Sequence, residues 1–166
     1  MQLQDKTIDA KAFRDVMGRF ATGVTIVTVQ DGDKPHGMTV NSFTSVSLDP
    51  LLILVCLDKD ATTTGILQNT GRFSVNILAS EQRHIAQKFA DSGNEKDRFA
   101  GIDYKVSEEG TPILNNVLGY ITCIVDNIVE GGDHYIFIGE VADIGVNDDD
   151  MRPLLYFRGN YNSLAE

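Results

Sequence analysis

No apolar run in this chain approaches the length that crosses a bilayer as a helix. Residues 1–20, MQLQDKTIDAKAFRDVMGRF, mix charge with apolar side chains and build no secretory signal. A membrane protein is therefore not expected, and the cytoplasm is the default location. Positive charge is scarce: 14 Lys and Arg stand against 24 Asp and Glu, a formal net charge of -10. With a pI near 4.6, the surface lacks the basic patches that nucleic acid or an anionic membrane demands. An anionic cofactor would need local donors, because the overall field repels it. Cysteine is nearly absent. Cys56 and Cys123 lie in separate apolar segments with no C-x-x-C and no metal-ligand spacing, so buried free thiols in a reducing compartment are expected. The three histidines, His36, His84 and His134, stand apart and make no metal set. No G-x-G-x-x-G and no Walker loop occurs, which argues against a Rossmann or P-loop nucleotide site.

What is present is the composition of one soluble globular domain spanning 1–166, with 42% hydrophobic residues and a mean hydropathy of -0.11. Its most unusual stretch runs from His36 to Thr64, HGMTVNSFTSVSLDPLLILVCLDKDATTT. Thr39, Asn41, Ser42, Thr44, Ser45 and Ser47 precede an apolar run, Leu51 to Leu57, which is followed by Asp58, Lys59 and three threonines. A strand, a loop rich in short hydrogen-bonding side chains, a buried strand and a helix start form a plausible cradle for a phosphorylated small molecule. The competing reading is a Ser/Thr-rich, half-exposed strand with an ordinary turn.

Phe13, Val16, Met17 and Phe20 recur at i, i+3, i+4 and i+7, which predicts an amphipathic helix over Asp9 to Phe20 with Asp9 as its cap. Val24 to Val29 reads as a strand before the Asp31-Gly32 turn, with His36 to Phe43 returning antiparallel to it. Asp49-Pro50 marks another turn, and LLILVCL has the form of a strand buried on both faces. Thr62 to Asn69 is a short helix ended by Gly71; Phe73, Val75 and Ile77 then alternate with Ser74 and Asn76 as a strand with one polar face. Ser80 is placed to cap a helix that carries Ile85, Ala86 and Phe89 on one side, with Glu81 in its first turn. Residues 90–114 are irregular around one short strand at Tyr104 to Val106. Leu118 to Val129 and Tyr135 to Val146 form a long hairpin across Gly131-Gly132-Asp133. Asp148-Asp149-Asp150 is a solvated acidic turn rather than a metal site, and Leu154 to Phe157 is a last strand. Roughly seven strands at short intervals, with two or three helices, indicate a mainly β protein with flanking helices, a closed or partly closed antiparallel barrel. Apolar positions left on the barrel exterior predict a homodimer.

In order and spacing, FRDVMGRFATGVTIVT near the start, HGMTVNSFTSVSLDP with its apolar strand, FSVNIL, AQKFA, DRF, GDHYIFIGEV and PLLYFRGNY together make the chain resemble the short-chain flavin reductases over nearly its whole length. These are the reductase components of two-component flavin-dependent monooxygenases, built on the FMN-binding split β-barrel. Leu51 departs from the pattern, since many members carry a second proline there, and the lack of tryptophan means that no indole stacks on the flavin.

The resemblance implies an enzyme that uses NADH or NADPH to reduce FMN or FAD and passes the reduced flavin to a partner monooxygenase. It implies that Thr39, Val40, Asn41, Ser42, Ser45, Val46 and Ser47 line the ring and ribityl chain. Cys56, Asp58, Lys59, Thr62 and Thr64 would hold the phosphate end, with Lys88 and its neighbour Phe89 on the following helix. His134, in the Gly-Asp-His match, would sit by the nicotinamide as the one catalytic position; no metal is implied. Arg158 has two readings, contact with the dinucleotide or pairing with the acidic turn before it. His36 and His84 have no such support. Hydride transfer needs two oriented rings rather than a nucleophile or a metal, so the missing triad is no objection. Two other classes stay open: a flavin-binding carrier or storage protein without rapid NAD(P)H turnover, and a relative that has lost flavin and survives as an interaction subunit.

Overall fold

The first helix forms within its predicted span, ending at Met17 rather than Phe20, and carries its predicted cap: the Asp9 carboxylate accepts the Ala12 N–H at 2.7 Å, and α1 runs Ala10–Met17. The structure is a computed structural model that describes residues 8–147 and 150–164. After α1 come β1 (Thr22–Gly23), β2 (Thr25–Asp31), β3 (Lys34–Val40), β4 (Phe43–Leu48), β5 (Leu51–Asp58), α2 (Thr62–Thr70) and β6 (Arg72–Ile77). The chain continues through α3 (Arg83–Ala90), β7 (Tyr104–Val106), β8 (Pro112–Leu114), β9 (Gly119–Gly131), β10 (His134–Val146), β11 (Leu155–Phe157) and β12 (Asn160–Asn162). The fold is mainly β with flanking helices, as expected, although short strands at the rim raise the count above the roughly seven predicted.

Seven strands make one antiparallel sheet in the order β3-β2-β6-β9-β10-β5-β4. Its two edge strands are joined through Asn41 and Ser42 alone, so the sheet rolls up with its split at that corner. Val27 and Val29 of β2, Val40 of β3, Ile53, Val55 and Leu57 of β5, and Phe137 of β10 accordingly share one core. A second cluster, built by Val24, Ile26, Leu78, Phe89 and Leu154, lies on the other side of β2 and is covered by α3. Both faces of β2 are therefore buried. A small sheet, β1-β11-β12, ties the two ends of the chain together.

Three sequence expectations change. The polar segment read as a loop is largely strand β4, paired with β5 through Phe43 to Leu48; its Ser and Thr side chains suit a half-exposed edge strand. LLILVCL is not buried on both faces: Ile53, Val55 and Leu57 point into the core, while Leu52, Leu54 and Cys56 are half-buried. The one polar face of β6 forms as expected, and it is buried. Ser74 and Asn76 are fully buried, with Asn76 donating to the Ile26 carbonyl and the Thr28 hydroxyl and accepting from Leu114 N–H, and Ser74 bonded to Thr111. Ser80 does not cap α3: a 3-10 turn, Ser80–Gln82, precedes the helix, and the Gln82 side chain accepts the Ala79 N–H. The hairpin of β9 and β10 and the left-handed Gly71 that ends α2 are as predicted. Of the Asp148-Asp149-Asp150 turn, the first two residues lie outside the described ones.

Among the described residues no helix is long and apolar enough to cross a membrane, and no group of three His, Cys, Asp or Glu could hold a metal. Both cysteines are free. Burial pushes the Cys123 thiol up to about 12 and raises that of Cys56 as well.

Candidate functional site

Gly18 ends α1 where the chain must pass close to another turn. A Cβ there would meet the Arg14 carbonyl at 3.1 Å and the Arg158 Cα at 3.6 Å, and the Gly18 carbonyl accepts the Arg158 N–H at 2.8 Å. This contact docks the end of α1 against the turn between β11 and β12. Both central residues of that turn have positive φ, 49° at Arg158 and 76° at Gly159. Glycine accepts this freely; for arginine it is strained by roughly 1 kcal/mol.

Between this N- and C-terminal corner and the split edge of the sheet lies a cleft of about 1180 Å³. Asn41, Ser42, Phe43 and Thr44 of the β3–β4 corner form one wall; Leu54 and Cys56 of β5, Thr25 and Ile77 line it further. The opposite wall comes from the end of α1, β1 and the β11–β12 turn, and it brings Arg14, Arg19 and Arg158 to one space. Ser42 is fixed to β5 twice: its hydroxyl donates to the Cys56 carbonyl at 2.8 Å and its carbonyl accepts the Cys56 N–H at 3.1 Å.

Strand register extends this site. Directly opposed residues in an antiparallel pair share a face, and β10 places Ile138 opposite Leu54, Ile136 opposite Cys56 and His134 opposite Asp58. His134 therefore stands on the same sheet face as the apolar positions of the cleft, about 7 Å along β5 from Cys56. Its ring nitrogen Nδ1 lies 2.8 Å from the Asp133 carboxylate, and its side chain is 42% exposed. The hydrogen bond from His134 holds the Asp133 carboxyl below its ordinary range.

The other residues singled out from the sequence fall into separate places. Lys59 is close to His134, its N–H bonded to the Asp133 carbonyl, but its ammonium is held by Glu130 at 3.1 Å and lies over the Tyr135 ring. The Thr64 hydroxyl donates to the Asp58 carbonyl and the Thr62 hydroxyl to Glu95, so both are committed inside the protein. Ser45, Val46 and Ser47 lie at the far half of β4. Ser47, which accepts the Asp49 N–H, pairs with Leu52, and the six residues from there to Asp58 span about 20 Å. Thr39 donates to the Ala86 carbonyl of α3, Lys88 to the Ala100 carbonyl, and Val40 and Phe89 are core residues. Asn41, Ser42, Cys56 and Arg158 thus come together in the cleft, His134 and Asp58 continue its face, and Thr39, Lys88 and Phe89 are not brought to it. No contact between Arg158 and a carboxylate is present among the described residues; its guanidinium lies over Phe157.

Arg14, Arg19 and Thr22 also line the cleft without having been singled out. The signal for the arginines was available: two of the chain's few cations flank Gly18 at the end of a helix that has no buried residue of its own. A surface with apolar side chains on a sheet face, amide and hydroxyl groups along one wall and arginines along the other fits a flavin with its ribityl phosphate.

A model of the flavin reductase like domain matches residues 17–165. The reductase subunit HsaB of a flavin-dependent monooxygenase from Mycobacterium tuberculosis is 39% identical over 158 residues, covering 95% of this chain and 83% of that protein. A flavin reductase from Pseudomonas putida is 40% identical over 159 residues, covering 95% and 92% of the two chains. Among solved structures, the NADH:FAD oxidoreductase SgcE6 of Streptomyces globisporus in complex with NAD and FAD fragments superposes with a TM-score of 0.88 at 39% identity, covering 95% of this chain and 93% of that one.

Proposed function

The chain belongs to the flavin reductase-like family, and we propose on that basis that its cleft binds FMN or FAD beside NADH or NADPH and that the protein supplies reduced flavin to a flavin-dependent monooxygenase. It is an NAD(P)H-dependent flavin reductase. When both are bound, the nicotinamide supplies hydride from C4 to N5 of the flavin ring. The work left to the chain is to bind, to orient and to exclude water.

The observation that carries this reading is the continuous sheet face of Leu54, Cys56 and Ile136 ending at His134. Its apolar part takes the flavin ring. Asn41, Ser42 and Thr44 meet the polar edge of that ring, and Arg158 offsets negative charge that the acidic chain would otherwise repel. His134, steadied by Asp133, orients the nicotinamide over the apolar strip. Lys59 serves the phosphate end once its ion pair with Glu130 opens. Ser45 and Ser47 reach the ribityl side from the outer part of β4.

The protein acts as a single domain and as a homodimer with the cleft near the subunit boundary. Support comes from α1, whose Phe13, Val16 and Met17 are 60%, 67% and 51% exposed, and from Phe20 just beyond it, 72% exposed; an amphipathic helix with a bare apolar face needs a cover. Two unpaired thiols suit the cytoplasm. A steady-state assay of NADH and NADPH oxidation with FMN, FAD and riboflavin in turn tests the function. Turnover with at least one flavin is expected; visible flavin absorbance without any NAD(P)H oxidation would mark the protein as a passive carrier instead.

A further inference from the structure

Seven arginines serve a chain of net charge -10, and Arg14, Arg19 and Arg158 line the same cleft. Arg14 and Arg19 make no ion pair among the described residues, and Arg158 rests on the Phe157 ring. Asp15 also lines the cleft, with Lys11 at 3.6 Å from its carboxylate. Three arginines lining one space repel each other, and an acidic chain offers many carboxylates with which they could have been paired off. Their convergence therefore calls for an anion of more than one charge.

The backbone carries a second, independent sign. A hairpin turn with positive φ at both central positions favours Asn or Asp followed by Gly, yet Arg158 occupies the first position at φ 49°. The strain is accepted at the one place where the turn is docked on Gly18 of α1, with Arg14 and Arg19 on that helix and its exit. An arginine there lines the cleft beside Arg14 and Arg19, with its guanidinium over the Phe157 ring. Backbone strain held in place by its surroundings gathers at ligand sites.

Resting on the flavin-reductase reading, we propose that Arg14, Arg19 and Arg158 form a pyrophosphate subsite that grips the diphosphate bridge of a dinucleotide. Riboflavin has no phosphate and FMN only a terminal one. The bridge occurs in FAD and in NAD(P)H, and the subsite gives the cleft a preference for the two-nucleotide form of whichever substrate lies across it. The planar forks of arginine suit the paired oxygens of neighbouring phosphates, as a lysine's point charge does not. The grip weakens with salt, because the site opens to solvent.

The test uses ADP as the probe, read by titration calorimetry on the intact protein, with KM values as a second readout. Wild type is expected to bind ADP, with inorganic pyrophosphate competing and adenosine not. Arg14→Ala and Arg19→Ala should each weaken ADP about tenfold and the double variant about a hundredfold, while Lys34→Ala, on β3 away from the cleft, changes nothing. Arg158→Asn relieves the strained turn, so it should raise the thermal midpoint while lowering ADP affinity. If FAD is the dinucleotide held, the double variant raises KM for FAD far more than KM for riboflavin; if NAD(P)H is, KM for the nicotinamide substrate rises with every flavin alike. Equal ADP affinity in wild type and double variant overturns the subsite, as does a wild-type protein that reduces riboflavin but gives no heat with millimolar ADP. Failure of the reductase reading looks different: no NADH or NADPH oxidation with riboflavin, FMN or FAD.

Discussion

Phe13→Ala separates association from folding, because no residue of α1 is buried in the protomer. The ring is 60% exposed, and fully burying a phenylalanine contributes roughly 1.5–3 kcal/mol. Covering the exposed part in a dimer therefore contributes about 1–2 kcal/mol per copy. A two-fold interface uses the same residue twice, so the variant loses roughly 2–4 kcal/mol of association, a rise in dimer Kd of about 30-fold to several hundred-fold. The fold itself should not suffer: alanine is the best helix former, and the change on an exposed helix surface gains a few tenths of a kcal/mol at about the scale of helix propensities. Sedimentation velocity across a nanomolar to micromolar dilution series reads the Kd, and the far-ultraviolet dichroism checks the helix. The reasoning is refuted if wild type sediments as a monomer at micromolar concentration, or if the variant dimerises with the wild-type Kd.

His134→Ala should raise KM for NADH or lower kcat about tenfold, roughly 1.4 kcal/mol, with flavin affinity little changed; stopped-flow hydride transfer at the wild-type rate would remove His134 from the site. Asn76→Ala strips three hydrogen bonds from buried partners, Ile26 O, Thr28 Oγ1 and Leu114 N, and should destabilise the protein by roughly 3–5 kcal/mol in urea unfolding. A loss below about 1 kcal/mol would mean that water or a neighbour replaces those bonds. Cys56 lines the cleft whereas Cys123 is fully buried with its thiol pushed up to about 12; a thiol reagent at pH 8 should therefore modify Cys56 first, and saturating flavin should slow that reaction. Labelling of Cys56 that ignores flavin would place the ring elsewhere.

What the sequence revealed was local. The Asp9 cap, the Gly71 end of α2 and the turn at Gly131-Gly132-Asp133 each depend on residues within a few positions of one another, and each forms as read. What it concealed depended on distant partners. Ser74 and Asn76 read as one polar face of a strand, but its burial does not show in the sequence, because Thr111 and the Ile26 carbonyl that satisfy them lie 37 and 50 residues away. Lys59 looks free for a phosphate until the fold brings Glu130 to it from 71 residues away. The dense Ser and Thr of β4 leave two readings, a loop or a half-exposed strand, and the pairing with β5 decides for the strand. Of the residues singled out from the motifs, Asn41, Ser42, Cys56 and Arg158 line one cleft, whereas Arg14 and Arg19, not singled out, reach it through the docking of Gly18 on a turn 140 residues later in the chain.

The central claim is that this cleft reduces flavin with a nicotinamide nucleotide as donor. An anaerobic titration measures it most directly: NADH or NADPH is added to the protein with FMN or FAD while the visible flavin absorbance and the nicotinamide absorbance are followed together. The expected result is bleaching of one flavin for each nicotinamide oxidised, at a rate far above that of the same mixture without protein. Flavin that binds the protein yet keeps its oxidised spectrum with excess of both donors would contradict the claim.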